Sequence, residues 1–321
     1  ISKIEWCDVV WNCIRGCSRV SEGCQNCYAE RTAARFASPA LRRGPRHNGD
    51  CGGLRAAGPF YGFAKDSHWT GRVELIPSKL EEPLHWRKPR RIFVDSMSDL
   101  FHEALTDAEI CSVWWIMGSS KYYWERQHCF QILTKRPKRM LNFLTRWAED
   151  RESLFLEMKK RMNWPSAFDC LGGPKYWPIK FPNVYLGVSC ENQATADERI
   201  PLLLRTPAAK RFVSLEPLLG PVDLRFLQPN DPPVEIDALA GTHGVIRPHG
   251  GKNSRIDWVI VGAESGPHRR PAEIDWFRSL RDQCVAAGTP YFLKQMDVDG
   301  KLVKMPELDG RVWDQFPEVL I

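Results

Sequence analysis

The sequence predicts a mixed α/β protein, built as a full or partial (βα) barrel with long inserted loops. Short β-rich runs alternate with helical stretches along the 321 residues, which is typical of a parallel sheet with crossover helices. Polar side chains follow directly after most of these runs. The length suits one large barrel or two ordinary domains. We expect a single barrel domain over residues 1–321.

Eight runs are predicted as strands because they are rich in β-branched, aromatic or other apolar residues and end at polar or turn-forming residues. They are Val9–Asn12, Val73–Leu75, Arg91–Asp95, Phe130–Leu133, Val184–Val188, Arg211–Leu215, Trp258–Val261 and Tyr291–Lys294. Their regular alternation with helices indicates a barrel, complete or partial, rather than an open sheet.

Six helices are predicted between these strands, and several begin with a good N-cap residue or an acidic first turn. They are Tyr28–Phe36, Ser78–His85, Asp107–Ser119, Pro137–Arg161, Gln193–Arg205 and Asp275–Ala287. Three segments do not fit the repeat, namely residues 37–71, 164–183 and 226–256, which are rich in glycine and proline. We interpret them as insertions that either cover the site or run over the surface.

Composition points to a globular protein. There is no uninterrupted apolar run of about 18 residues and no signal-peptide pattern, so we expect a cytoplasmic protein without a membrane partner. The net charge of +6 is concentrated in three basic clusters, which are either solvated faces or a surface that follows phosphates. The clusters are Arg15, Arg19, Arg31, Arg35, Arg42, Arg43 and Arg46; Arg87, Lys88, Arg90 and Arg91; and Lys135, Arg136, Lys138 and Arg139.

Eleven cysteines without a secretory signal favour metal binding or buried thiols over a disulfide framework. Five of them fall in the first 27 residues: Cys7, Cys13, Cys17, Cys24 and Cys27. The other six are scattered singly, and we expect them to be small core residues.

The last three of these five form the pattern C-x6-C-x2-C. A structural zinc site would usually need a second cysteine or histidine pair, which is absent from the sequence, although Cys13 could serve as a fourth ligand. Three thiolates with one open position suit a [4Fe-4S] cluster whose fourth iron binds a cofactor. Cys17, Cys24 and Cys27 are therefore the predicted metal ligands.

This run resembles the cluster loop of radical S-adenosylmethionine (SAM) enzymes, whose usual spacing is C-x3-C-x2-C with an aromatic residue near the last cysteine. Gly16-Cys17 and Cys27-Tyr28-Ala29 resemble the spore photoproduct lyase-like branch, with three extra residues between the first two ligands. The whole chain resembles a phage and prophage family that carries a three-cysteine motif. That resemblance is carried by Ile4-Glu5-Trp6 and by residues 96–102, 133–137, 187–192, 214–218 and 262–266.

The resemblance implies a barrel of the radical SAM type, encoded by a phage or prophage and acting in the host cytoplasm. The open iron of the cluster would bind SAM, and an electron from a reductant such as flavodoxin or ferredoxin would cleave its sulfonium bond. The resulting 5'-deoxyadenosyl radical would abstract a hydrogen atom from a substrate, while the barrel excludes water.

Polar residues follow six predicted strands, where a parallel barrel gathers its binding groups. They are Ser96, Ser98 and Asp99; Thr134, Lys135 and Arg136; Ser189, Glu191 and Asn192; Glu216; Glu264 and Ser265; and Lys294 and Gln295. A cap, turn or surface role is the alternative for any one of them. Agreement among six strand ends indicates a pocket.

Roles within this set follow the resemblance. Ser189, Glu191 and Asn192 are expected at the SAM ribose or carboxylate, and Tyr28, Ser96, Ser98, Asp99, Thr134, Lys135 and Glu216 complete the predicted SAM site. The predicted substrate-binding residues are Arg136, Glu264, Ser265, Lys294 and Gln295. The catalytic candidates are Lys135, Glu264 and Cys190, a possible hydrogen donor whose alternative is a small buried residue.

The preferred hypothesis is therefore a radical SAM enzyme that modifies or rearranges a nucleic-acid base, with a modified thymine in phage DNA as the first version to test. A second hypothesis keeps the chemistry but makes the substrate a peptide or small metabolite. A third is a non-catalytic nucleic-acid-binding module with a structural zinc.

Overall fold

An eight-stranded sheet is the centre of the fold. The structure, a computed structural model, describes residues 2, 4–38, 41–42, 54–55, 58–122, 125, 127–162, 177–229, 235–243 and 254–318. The strands are β1 (Val9–Trp11), β2 (Arg91–Val94), β3 (Cys129–Thr134), β4 (Val184–Ser189), β5 (Lys210–Leu215), β6 (Trp258–Gly262), β7 (Tyr291–Val298) and β8 (Lys301–Lys304). They lie side by side in chain order.

Strands β1 to β7 are parallel to their neighbours, and only β8 runs antiparallel, against β7. Every residue of β4 and β6 is buried, as expected for a parallel sheet that is covered on both faces. One large apolar cluster lies between the sheet and the helices. A smaller cluster lines the other face.

Trp6 shows that the sheet is curled. Its ring centroid lies 4.5 Å from that of Phe93 on β2 and 6.2 Å from that of Trp258 on β6. In a flat sheet β2 and β6 would be about 19 Å apart, at roughly 4.8 Å for each strand spacing. The sheet therefore wraps around Trp6 as a half-barrel, which confirms the α/β class and agrees with the partial form of the predicted barrel.

In the described parts of the chain, six α-helices accompany the sheet: α1 (Tyr28–Arg35), α2 (Glu82–His85), α3 (Asp107–Tyr122), α4 (Pro137–Met162), α5 (Gln193–Arg205) and α6 (Ile274–Ala287). Asn192 caps α5, since its side chain accepts from the Thr195 amide. Gly288 ends α6 in the left-handed region, at φ 66°. Helix α4 breaks at Asp150. Each of the six predicted helices is confirmed at least in part.

Seven of the eight predicted strands belong to the sheet, and the prediction for Val73–Leu75 is wrong in its role. Glu74–Leu75 pairs antiparallel with Ile14–Arg15, outside the main sheet. The eighth position belongs to Lys301–Lys304, which was missed because a four-residue run with a lysine at each end carries little β signal of its own. Its pairing with β7 supplies the missing stabilisation.

The three predicted insertions are described only in part. Within the first, the structure places short antiparallel pairs at Leu41–Arg42 with Leu54–Arg55 and at Ala64–Lys65 with His68–Trp69. Within the third, Ile236–Asp237 pairs with Thr242–His243, and a further pair, Glu307–Leu308 with Arg311–Val312, follows β8. Most of the second, residues 164–176, lies outside the described residues. None of the described helices is both long and apolar enough to cross a membrane.

Candidate functional site

A cavity of about 460 Å³ lies at the carboxyl ends of the parallel strands. Its floor is apolar and includes Trp6, Phe93 and Leu133. Its polar wall is supplied by residues at or just after the carboxyl ends of β2 to β6 and by Lys294 and Gln295 within β7. The volume lies within the range of small-molecule sites, roughly 300–1,000 Å³.

The predicted metal ligands all belong to the lining of this cavity. Cys17, Cys24 and Cys27 are half-buried and all three line it. They belong to the segment 17–27, here called the cysteine loop, which contains one 3₁₀ turn at Glu22–Cys24 and leads directly into α1. Burial raises the pKa of the Cys17 thiol to about 12 and also raises the pKa of Cys27.

Glu191, at the end of β4, holds the cysteine loop from below. Its fully buried carboxylate accepts from Ser21 Oγ at 3.1 Å and pairs with Lys135 and with Arg199. A Cβ on Gly23 would lie 2.3 Å from the Glu191 carboxylate, so only glycine allows this approach. Burial alone raises the pKa of Glu191, but the two cations outweigh it and hold that pKa below its usual value.

Glu264, after β6, holds the loop from the other side. Its carboxylate accepts from Asn26 Nδ2 at 2.9 Å and from the Arg270 amide at 2.8 Å, and it forms an ion pair with the Arg270 guanidinium. Arg270 also donates to the Glu22 carbonyl. Although burial raises the pKa of Glu264, these hydrogen bonds lower it overall. The loop is thus anchored through two strand ends.

Arg136 forms the third anchor. Its buried guanidinium pairs with Asp99 at 3.1 Å and with Glu103 at 2.7 Å, and it donates to the carbonyl and hydroxyl of Ser18. Its Nη1 lies 4.0 Å from Cys17 Sγ. Asp99 in turn accepts from Thr134 Oγ1 at 2.7 Å. This network places a positive charge beside the first cysteine.

Other predicted site residues face the cavity with fewer ties to the loop. Glu216, directly after β5, pairs with Lys294 within β7, and Gln295 Nε2 donates to Glu216 at 3.3 Å. Lys135 Nζ donates to Ser189 Oγ. The full set of predicted site residues that line the cavity, including the anchors Arg136 and Glu264, is Tyr28, Ser96, Ser98, Asp99, Thr134, Lys135, Arg136, Ser189, Glu216, Glu264, Ser265, Lys294 and Gln295.

Three predicted site residues do not line the cavity. Cys190 is fully buried in the core between sheet and helices. Asn192 caps α5 and donates to Glu22 Oε1 at 2.6 Å. Glu191 is buried and contacts the cysteine loop through Ser21. Cys13, the alternative fourth ligand, is also fully buried, with its Sγ 3.7 Å from an Asp95 oxygen. This placement separates Cys13 from the three cavity cysteines.

The basic clusters are dispersed in the structure. Arg87, Lys88, Arg90 and Arg91 precede or begin β2 and so lie at the amino end of the sheet, opposite the cavity. In the third cluster Arg136 and Arg139 are engaged by Asp99, Glu103 and Asp107. In the first, Arg43 and Arg46 lie outside the described residues, whereas Arg31 and Arg35 are on α1 and line a second, separate pocket.

Asp95 is a cavity residue that the sequence reasoning missed, although it ends a predicted strand directly before Ser96. It is buried, adopts φ 58°, and accepts from the Ile14 amide at 2.9 Å. Burial raises the pKa of its carboxyl group to about 7. Trp6, Asn26 and Arg270 were missed as well, because their roles depend on contacts with distant parts of the chain.

Replacing Asp95 by asparagine is expected to flatten the pH dependence of stability. Because the folded-state pKa is raised, the folded protein binds more protons than the unfolded chain between about pH 4 and 7, and stability falls as pH rises through that window. A shift of this size corresponds to up to roughly 4 kcal/mol, at about 1.4 kcal/mol for each pKa unit. Urea unfolding from pH 4.5 to 8 measures how the free energy of unfolding changes with pH. An equal loss of stability across this range in Asp95→Asn and in the wild type would contradict the raised pKa of Asp95.

The chemistry of the three thiols and of the neighbouring Arg136 fits an iron–sulfur cluster. Three thiols line one cavity without a fourth cysteine beside them in the described chain, and the Arg136 guanidinium is placed to offset negative charge on Cys17. Within the described residues, no group of three or more cysteine, histidine or acidic side chains is close enough to hold a bare metal ion. Cluster assembly would require loss of the thiol protons.

Comparison with known proteins found one family. A family model described as a protein of unknown function (DUF5131) matches residues 1–317. No curated protein and no solved structure matches the chain.

Proposed function

This chain belongs to the DUF5131 family, and from the geometry of its cavity we propose that it is a radical SAM enzyme that modifies a nucleic-acid base. One observation carries the proposal. Cys17, Cys24 and Cys27 line the same cavity as the polar residues at six strand ends of a curled parallel sheet. Such a cavity combines three thiolate donors with room for a small organic cofactor.

In this proposal the three cysteines hold a [4Fe-4S] cluster with one open iron. When bound, and reduced by a carrier such as flavodoxin or ferredoxin, the cluster would supply the one electron that cleaves SAM to methionine and a 5'-deoxyadenosyl radical. Arg136, 4.0 Å from Cys17 Sγ, offsets the negative charge of the thiolate ligands. Glu191 and Glu264 hold the loop rather than SAM, since Ser21 and Asn26 of the loop itself donate to their carboxylates.

Glu216 and Lys294 are the better candidates for the methionyl end of SAM. They are opposite charges that line one wall of the cavity and pair with each other. An aminocarboxylate carries the complementary pair of charges, so it can exchange with this ion pair without leaving either side chain buried and unpaired. The apolar floor formed by Trp6, Phe93 and Leu133 keeps water from the reacting atoms.

The direct test is anaerobic reconstitution with iron and sulfide, followed by dithionite and SAM. The expected result is a brown protein with broad absorbance at about 400 nm that produces 5'-deoxyadenosine. A colourless protein that binds one zinc and leaves SAM intact would overturn the proposal and favour the structural-zinc alternative. A reconstituted protein that cleaves SAM but leaves DNA and RNA unchanged in mass would favour the peptide or metabolite substrate.

A further inference from the structure

A basic groove lies on the outer side of α1. It is lined by Arg31 and Arg35 on the helix and by Tyr61, Lys65, Asp66 and Thr70 on the following hairpin. Tyr61 is 53% exposed. Helix α1 thus forms a shared wall, because Tyr28 and Ala29 in its first turn line the cavity.

The groove is positively charged. Arg35 and Lys65 are exposed and form no ion pair within the part of the chain that the structure describes, and Arg31 has no carboxylate partner there either. Among the described residues that line the groove, Asp66 is the one that is acidic. Three cations against one carboxylate leave a site for an anionic ligand.

A direct contact connects the groove to the cavity. Arg31 Nη2 donates to the carbonyl of Ser265 at 3.0 Å, and Ser265 lines the cavity. Gly266, at φ 111°, permits this approach, because a Cβ there would lie 2.2 Å from Arg31 Nη1. A ligand lying in the groove therefore passes the edge of the cavity.

We propose that this groove binds the phosphate backbone of a single-stranded nucleic acid, one base of which enters the cavity. The inference rests on the proposed function and assigns the surface that delivers its substrate. Exposed cations contact phosphates in any sequence, and an exposed aromatic ring such as Tyr61 stacks on a base face. An acidic peptide would use the cations but leave the ring without a partner of this kind.

The test is fluorescence anisotropy of a labelled single-stranded DNA oligonucleotide, measured over a salt series. The double variant Arg35→Glu with Lys65→Glu is expected to bind about tenfold or more weakly at low salt, and the slope of log K against log salt should fall by about 1.4, at about 0.7 for each phosphate contact on a single strand. The matched control is Arg87→Glu with Lys88→Glu, which makes the same charge change at exposed positions beyond the opposite end of the sheet. It should bind like the wild type.

Three outcomes would overturn the proposal that the groove binds a single-stranded nucleic acid. They are absence of DNA binding by the wild type, equal losses in the two double variants, and competition by polyglutamate as strong as that by unlabelled DNA. Thermal unfolding checks that both variants are folded. Formation of 5'-deoxyadenosine by the wild type without DNA is measured in parallel, so a failed groove with intact SAM cleavage is distinguished from failure of the proposed chemistry.

Discussion

Replacing any one of Cys17, Cys24 and Cys27 by alanine is expected to abolish 5'-deoxyadenosine formation and to reduce cluster iron to a small fraction of the wild-type content. Each thiol lines the cavity, and a cluster with one open iron has no spare protein ligand. The measurements are iron and sulfide per chain, absorbance at about 400 nm, and 5'-deoxyadenosine after reduction with SAM present.

Cys13→Ala and Cys190→Ala are the matched controls. Both cysteines are fully buried and do not line the functional cavity, so their variants should keep the cluster. Each variant should lose some stability, because the removed sulfur leaves a small void in the core. Cluster loss in Cys13→Ala, with iron retained in Cys17→Ala, would show that the ligand set is different. Loss of SAM-dependent chemistry in Cys190→Ala with full iron content would instead support its predicted role as hydrogen donor.

Replacing Glu191 by alanine is expected to lower the free energy of unfolding by about 3–5 kcal/mol, the usual cost of breaking a buried ion pair. The change leaves Arg199, which is nearly fully buried, and Lys135 without their shared carboxylate, and it removes the acceptor for Ser21. The cysteine loop should loosen, so reconstituted iron should fall as well. Urea unfolding and iron analysis measure the two effects.

Glu198→Ala is the control for this prediction, because Glu198 is exposed on the same helix, α5, and its loss should change stability by less than about 0.5 kcal/mol. Glu191→Gln, which keeps the shape without the charge, should lie between the two. The sequence-based role of Glu191 as a SAM ligand makes the opposite prediction. In that case stability would barely change while SAM binding fell.

The folded-state pKa of Glu191 also sets a pH dependence. Since that pKa is lowered, the ion pairs contribute stability above the ordinary carboxyl pKa of 4.5, and this contribution is lost as pH falls through the lower, folded-state value. Glu264 has a lowered pKa and adds to the same trend. A fall in pH should therefore weaken both the Glu191–Ser21 and the Glu264–Asn26 contacts of the cysteine loop.

Local sequence was sufficient for most of the fold. Strands such as Val184–Ser189 and Trp258–Gly262 are continuous apolar runs, because both of their faces are buried. The error at Val73–Leu75 and the omission of Lys301–Lys304 have one cause. Whether a short run joins the main sheet depends on its pairing partner, which local propensity does not specify.

The candidate site shows a similar limit at single residues. Side chains alternate between the two faces of a strand, so at the end of β4 Ser189 lines the cavity while Cys190 packs against the helices. The sequence places both at a strand end without specifying which one points inward. Which of the two side chains points into the cavity depends on which face of the sheet is turned toward Trp6.

Local sequence was enough to predict that three closely spaced cysteines precede the first helix and that polar residues gather at six strand ends, because spacing and alternation are local properties. Which of those residues face open space and which hold the cysteine loop became clear from the folded chain alone. Glu191 and Ser21 are 170 residues apart in the chain, and Glu264 and Asn26 are 238 apart. Contacts over such separations depend on the fold as a whole, so local sequence did not show that these two acids anchor the loop that presents the cysteines.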